Sequence, residues 1–529
     1  MTGSSSRVGG EASLNRDAPE TDLVEARVWV LQIQTKLHQW ARNDPNKRFD
    51  DLFNLVCHPA TLIVAWNHVK SNQGSRTAGV DRKTKYTIVH GPGGEAAFLG
   101  TTRSALRSRA FRPSSVRQRG IPKATGKVRY LGIPTIRDRL VQMALKLILE
   151  PIFEADFVPT SYGFRPNRRA QDAIAEVYQF LKAPSNYEYV IEGDIEACFD
   201  RLDHASILAR VRKRIGDKRV LALIKAFLKA AVLTELGTLE QRTLGSPQGG
   251  IISPLLSNVA LSALDEHFER AWREQSRTTG ARQNLHRQGR PTYRLIRYAD
   301  DLVVVVKGTR EHAEALKEEL ATVLATQLKL TLSAEKTLVT HIDDGFNFLG
   351  FRVQRKARGG KRLVYTWPSP KAFAAVKRRV KALSRQSTSL SLAQLLYQLN
   401  PLLRGWTNYF RHAASKHTFG YLDHFTWWRV VRWLRKKYRR LSWKRLRRRH
   451  LRNWEIRDGK VTLFHPAGVR VERYRFRGTR IPSPWEPVTH LTSLPIVEEQ
   501  VESLPPVVME SRVRREAHAR FGGRSGETG

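Results

Sequence analysis

The stretch Tyr293-Arg294-Leu295-Ile296-Arg297-Tyr298-Ala299-Asp300-Asp301-Leu302-Val303-Val304-Val305-Val306-Lys307 decides how the rest of this chain is read. Two apolar runs rich in β-branched residues flank a short junction, the pattern of two buried strands joined by a tight hairpin. Adjacent carboxylates at the tip of a rigid hairpin repel each other, which makes sense where a hard divalent cation sits against them. Alone, an Asp-Asp pair is more often a solvated turn. A second acid-tipped strand gives the pair weight.

That strand runs from Tyr187 to Ile195 and carries Asp194 near its end. Nucleotidyl transfer needs carboxylates from two strands converging on a pair of Mg²⁺ ions, which activate a 3′-oxygen and stabilise the departing pyrophosphate. In Tyr298-Ala299-Asp300-Asp301, and in Gly193-Asp194-Ile195 followed by Phe199, the chain resembles the reverse transcriptases encoded by group II introns. The resemblance implies an α+β right-hand polymerase. Its fingers and palm would be built on an antiparallel palm sheet, followed by an α-helical thumb/maturase domain and a small basic C-terminal region. It also implies that Asp194, Asp300 and Asp301 are catalytic. Asp194, Ile195, Asp300 and Asp301 would hold two Mg²⁺ ions, and dNTPs would be the substrates.

Composition agrees. The 529 residues are 41% hydrophobic, enough for sizeable cores in about two or three domains. Lys and Arg number 91 against 49 Asp and Glu, a net charge of +42. A surplus that large points to a polyanion held by phosphate contacts and counterion release. A ribosomal-type binder would share the charge but not the length or the paired acidic strands. Cys57 and Cys198 are the only cysteines, which excludes a disulfide framework and a Cys-rich zinc site. They cannot supply the cysteine pairs that stabilise the HNH endonuclease of many relatives, so second-strand nicking is not expected. No apolar run of about 18 residues predicts a membrane span. The first residues lack a signal-peptide core, and a bacterial cytoplasmic location is expected, nucleoid-associated when the protein acts on DNA.

Further motifs fall in the family's order. Leu23 to Ala41 predicts an amphipathic helix with Val24, Val28, Leu31, Leu37 and Trp40 on its apolar face. Asn72 to Asp81 is a Gly-containing basic loop similar to the family's template-gripping N-terminal extension. Val116 to Thr135 predicts a hairpin turning at Ala124-Thr125-Gly126-Lys127. Lys123 and Arg129 on its opposite strands would clamp a triphosphate; a solvated basic hairpin is the alternative. In Ser161-Tyr162-Gly163-Phe164-Arg165-Pro166, Gly163 would let the backbone approach a nucleic-acid strand, with Arg165 on phosphate.

The family's nucleotide pocket implies a role for Phe199 under the incoming sugar; a core aromatic is the lesser alternative. Asp203 is placed to cap the next helix, with His204 beside it and Asp200 nearby taking no part in the chemistry. Gly245-Ser246-Pro247-Gln248-Gly249-Gly250 resembles the loop whose Gln248 contacts the nucleotide. Lys336 either reaches the polymerase site or lies on the surface. Phe346 to Phe351 closes the palm.

Beyond it, Ser369 and Pro370 open a helix to Leu383. A second helix uses Leu392, Leu395, Leu396 and Leu399, and a third is predicted to start at Asn400-Pro401. Arg404 to Phe410 resembles the maturase (X) signature. From Trp427 to Trp454 cations alternate with aromatics, the composition of a nucleic-acid surface. Together with the cationic faces of the helices before it, this gives Lys377, Arg378, Arg404, Arg411, Arg435, Lys436, Arg440 and Arg447 as the expected nucleic-acid contacts. Val461 to Pro487 alternates in a strand-like way, similar to the DNA-binding region after the maturase domain.

The expected divisions are 1–20 disordered, 21–115 N-terminal extension, 116–355 fingers and palm, 365–452 thumb/maturase, 453–490 DNA-binding, and 491–529 disordered. The resemblance implies an RNA-dependent DNA polymerase that also assists intron splicing and retromobility by target-primed reverse transcription. Its partners would be intron RNA, template RNA and a DNA primer or target. A catalytically silent RNA-binding maturase and a reverse transcriptase recruited to defence or CRISPR adaptation are the alternatives.

Overall fold

The computed structural model describes residues 23–122, 128–245, 249–278, 280–478 and 481–486. The segments 1–20 and 491–529, expected to be disordered, lie outside the described residues, as do Lys123 and Gln248.

A four-stranded antiparallel sheet organises the molecule, in the order Thr292–Tyr298, Asp301–Lys307, Tyr189–Asp194, Leu338–His341. The run Leu302 to Val306 is apolar at every position because the sheet is covered on both faces. Alternate side chains point to opposite faces. Leu302, Val304 and Val306 join Ile191 and Leu295 in one core, under helices Ile136–Glu154, Ser253–Gln275 and Arg310–Leu328. Val303 and Val305 join Val190 and Ile296 in the other, against helix Ala170–Leu181 and the C-terminal helices. The acid-tipped strand ends are therefore fixed from above and below.

The basic hairpin forms as expected, with Val116–Pro122 antiparallel to Val128–Ile133 and Arg129 opposite Ile121. It extends into a second sheet through the short strand Val232–Leu233.

Helix Leu23–Asn43 forms, but its buried face is not the expected one. Val24, Val28, Leu31 and Trp40 are exposed, whereas Gln34 and His38 are buried beside Leu37. The reason is Pro151, inside helix Ile136–Glu154. Proline has no N–H for the carbonyl four residues back, and Gln34 Nε2 donates to that carbonyl, Leu147 O, at 2.8 Å. One turn along, His38 Nδ1 donates to Pro151 O at 2.9 Å. That fixes the imidazole tautomer, so Nε2 accepts from the Ser483 hydroxyl at 3.0 Å. The indole N–H of Trp485 donates to Gln34 Oε1 at 3.2 Å. Segment 481–486 is thus fastened to the first helix.

The C-terminal helices are Pro370–Leu383, Leu392–Phe410, Lys416–Lys437 and Trp443–His450. Ser369 caps the first, accepting from Ala372 N at 3.2 Å. Pro401 does not start a third helix as expected; it lies within the continuous helix Leu392–Phe410. The buried stripe Leu392, Leu395, Leu396, Leu399, Leu403, Trp406, Phe410 runs through it without a break in phase, and that packing outweighs the lost hydrogen bond. The expected strands between Val469 and Phe476 are absent. That stretch is an irregular strap held by Tyr474 Oη and Arg477 on Asp172 and by Glu472 N–H on Arg411 O. No helix is long and apolar enough to cross a membrane among the described residues.

Candidate active site

Strands Thr292–Tyr298 and Asp301–Lys307 meet in a two-residue turn, Ala299-Asp300, closed by the pair Tyr298↔Asp301. On the other side of Asp301–Lys307 the register continues to Asp194↔Asp301. The two acids, 107 positions apart by their numbers, are therefore direct neighbours across two adjacent strand ends, and Asp300 sits in the turn beside them.

Ala299 holds a φ of 60°, a left-handed conformation costing a non-glycine residue about 1–2 kcal/mol. The turn is braced by two residues. Arg297 is fully buried and donates to Ala299 O at 2.8 Å, Asn258 Oδ1 at 3.0 Å, Ser161 Oγ at 2.7 Å and Asp265 Oδ1 at 2.7 Å. Gly163 also abuts the turn, where an added Cβ would come 2.8 Å from Tyr298 C and 3.0 Å from Ala299 Cα. The close backbone approach expected of Gly163 is real, but its partner is the protein's own acidic turn. Backbone strain over-determined in this way belongs to sites that need fixed geometry.

Among the described residues no three His, Cys, Asp or Glu side chains are gathered around one point. Lys336 Nζ lies 2.6 Å from Asp194 Oδ2, so that carboxylate already faces an ammonium. The donors nevertheless fit a hard cation: oxygen ligands on neighbouring strand ends, one already against a positive charge. Ile195 is buried and bridged to Leu332, while the carbonyl of Asp194 accepts from Ser333 N–H at 2.8 Å. The Lys336 segment is thereby anchored to the acidic strand.

Around the acids, Phe199 is buried in the short helix Cys198–Arg201 that follows the strand. Asp203 caps helix His204–Arg212 as expected, accepting from Ser206 N–H at 2.8 Å. His204 does more than sit beside the cap: its Nε2 donates to Gly245 O at 2.7 Å, tying in the glycine-rich loop. Farther along that loop Ile251 N–H donates to Gln142 Oε1 at 2.7 Å, and a Cβ on Gly249 would run into the Gly132 carbonyl. These glycines pack against the fingers hairpin and the Asp200 segment.

One expected nucleic-acid contact is corrected, and two others have partners within the protein. Arg165 is buried, donating to both oxygens of Glu154 at 2.9 and 2.7 Å and to the carbonyls of Val158 and Ser161. It cannot reach a phosphate. Lys377 stands over the rings of Phe373, Tyr421 and Phe425, 4.9 to 5.9 Å from their centroids, an inter-helix contact rather than a free cation. Arg411 pairs with Glu472 at 3.1 Å. Arg378, Arg404, Arg435, Lys436, Arg440 and Arg447 are exposed.

The expectations drawn from the sequence missed Arg297 and its support. They also missed Glu176, whose carboxyl burial pushes up and which accepts from Tyr162 Oη at 2.6 Å. Arg294, stacked 4.7 Å over Trp272, pairs with Glu176 and with Glu269 at 2.8 Å. Two arginines inside an otherwise apolar strand were the available signal: buried charge demands a buried partner.

Residues 121–353 match the reverse transcriptase (RNA-dependent DNA polymerase) family, and residues 373–454 match the group II intron, maturase-specific domain. Protein YkfC of Escherichia coli is 38% identical over 367 residues, covering 65% of this chain and 95% of that protein. The group II intron-encoded protein LtrA of Lactococcus lactis is 30% identical over 376 residues, 62% of this chain and 61% of LtrA. The putative COX1/OXI3 intron 1 protein of Saccharomyces cerevisiae is 28% identical, and the match spans 43% of its length.

Proposed function

From a chain that belongs to the group II intron reverse transcriptases and joins a polymerase domain to a maturase domain, we propose RNA-templated DNA synthesis at the Asp194–Asp301 strand pair and assistance to intron RNA splicing by the C-terminal helices. The observation that carries the first part is the register that puts Asp194 beside Asp301, with Asp300 in the braced turn.

Two Mg²⁺ ions bound there would make a primer 3′-hydroxyl nucleophilic and neutralise the departing pyrophosphate. Asp194, Asp300 and Asp301 would hold them. Arg297 and Gly163 fix the turn so that the carboxylates need no reorganisation as charge develops. Lys336, which faces Asp194, would be the group positioned to meet a phosphate once Asp194 held a metal ion. Arg129 of the basic hairpin and Phe199 would contribute to the dNTP site, with the roles the family implies for Lys123 and Gln248 falling outside the described residues.

The second part rests on the exposed cations Arg378, Arg404, Arg435, Lys436, Arg440 and Arg447, in or just beyond helices that carry few acids. A folded intron RNA is the polyanion they suit. Copying of the spliced intron into DNA from a primer 3′ end would join the two activities.

The test is extension of a DNA primer on an RNA template with Mg²⁺, comparing the full chain with Asp301→Asn. Synthesis should fall at least about 10³-fold while RNA affinity persists. Undiminished synthesis by the variant would overturn the catalytic assignment. Binding without synthesis by the unmodified chain would favour an RNA-binding maturase.

A further inference from the structure

The hairpin after the last helix uses an unexpected residue at its tip. Leu451–Arg452 pairs antiparallel with Glu455–Asp458, and the closing pair Arg452↔Glu455 leaves a two-residue turn, Asn453-Trp454. Both turn residues have positive φ, 51° and 66°. This is the mirror-image turn that suits a right-twisted hairpin, and its preferred pair is Asn-Gly. The first position obeys that preference. The second holds the bulkiest side chain in a conformation that a bulky residue rarely adopts.

Burial does not compensate, because Trp454 is 58% exposed. Nor does the backbone contact: Trp427 Nε1 donates to the Trp454 carbonyl at 2.8 Å, a bond glycine would accept equally well. What the tryptophan adds is a ring on an aromatic step. Its centroid is 6.1 Å from that of Trp427, which meets Trp428 edge-on at 4.9 Å, and Trp428 is exposed in turn. The guanidinium of Arg447 lies 5.3 Å from the Trp454 centroid. The adjoining helix Trp443–His450 exposes Lys444, Arg445, Arg447, Arg448 and Arg449 and contains no acid; Glu455 is the nearest acid in sequence.

We propose that Trp454 is a stacking platform for an unpaired base of RNA, with Arg447 and the neighbouring cations holding the flanking phosphates. An exposed ring beside a cationic helix is the arrangement that grips single-stranded nucleic acid without reading its sequence. RNA is favoured over DNA because Trp454 lies within the maturase-specific match, residues 373–454. The inference rests on the reading that this chain binds intron RNA, and it adds the kind of nucleotide and the residue that meets it.

The test uses the full chain and Trp454→Gly, which removes the ring and gives the turn the residue it prefers. Probes are a mixed-sequence single-stranded RNA oligonucleotide, a blunt RNA duplex of the same length, and single-stranded DNA, read by fluorescence anisotropy beside thermal melting. Trp454→Gly should bind the single-stranded RNA about 10-fold more weakly. Its duplex affinity should stay within about 2-fold, with an unchanged salt slope, and its melting temperature should be equal or higher. Trp454→Phe should restore most of the affinity. Equal binding by both proteins, a matching loss on duplex, or a lowered melting temperature would overturn the proposal. A loss confined to DNA would overturn the assignment to RNA. An unmodified chain with no affinity for RNA would instead remove the function the proposal rests on, so the two failures are distinct.

Discussion

The ammonium of Lys336 lies 2.6 Å from the carboxylate of Asp194, a residue 142 positions earlier in the chain. The pair is partly exposed, with the lysine side chain at 65%, so its contribution to stability is below about 1 kcal/mol and screened by salt. Its meaning is electrostatic. Asp194 and Asp301 are paired across neighbouring strand ends, and the lysine supplies a countercharge. Lys336→Ala should therefore melt earlier than the unmodified chain in a chelator at low salt. Added Mg²⁺ should raise its melting temperature by a larger margin. Equal Mg²⁺-induced shifts would show that lysine and metal do not share a place.

Gly163→Ala tests the brace on the acidic turn. A methyl group there meets the backbone of Tyr298 and Ala299, and the turn must move for it to fit. Displacement of about 1 Å at a catalytic centre costs about 100-fold in rate. Primer extension should fall by about that factor, with RNA affinity unchanged. A variant retaining full kcat would mean that the turn tolerates displacement.

Gln34→Leu removes the amide that serves the Leu147 carbonyl left open by Pro151. A buried acceptor without a donor costs about 1–3 kcal/mol, and Trp485 loses the acceptor of its indole N–H as well. Denaturant unfolding should show a loss in that range. Gln34→Glu keeps the acceptor for Trp485 but offers Leu147 no donor when ionised, so it should not rescue.

His68 gives a pH signature. Burial, with Lys146 and Arg27 nearby, pushes its imidazole from 6.5 down to about 4, and its buried Nδ1 has no hydrogen-bond partner among the described residues. The folded state thus binds fewer protons than the unfolded state between those values. Its contribution is intact above pH 6.5 and is lost as pH falls towards 4, by at most about 3 kcal/mol. His68→Gln should lose less stability than the unmodified chain between pH 7 and pH 4.5. Parallel losses would show that His68 does not titrate there.

The acidic strands were legible because their pattern is local. An apolar run ending in acids says strand, and a sheet covered on both faces explains why no polar alternation interrupts Leu302 to Val306. Arg165 was misread, and the packing of Lys377 missed, because a motif or a cationic face does not say which way a long side chain folds. Glu154 lies eleven residues before Arg165 with no local sign that the two side chains meet, and Lys377 has Phe373 on its own helix but Tyr421 and Phe425 on another. Pro401 was read by its local rule, although the leucine spacing on either side already kept one helical phase. The first helix kept only Leu37 of its expected buried positions for the same reason. The demand for Gln34 and His38 arises at Leu147 and Pro151, more than a hundred residues later.

That joint has a temporal side. During translation the helix bearing Pro151 can dock on Gln34 and His38 as soon as it emerges from the ribosome. The serine and tryptophan that complete the joint, Ser483 and Trp485, follow only after some 330 further residues have been made. Polymerase and maturase elements are both synthesised in that interval, so the clasp joining the first helix to segment 481–486 cannot close until nearly all of the described molecule has been made. A nascent chain stalled before residue 483 would lack the half of that clasp that Ser483 and Trp485 supply.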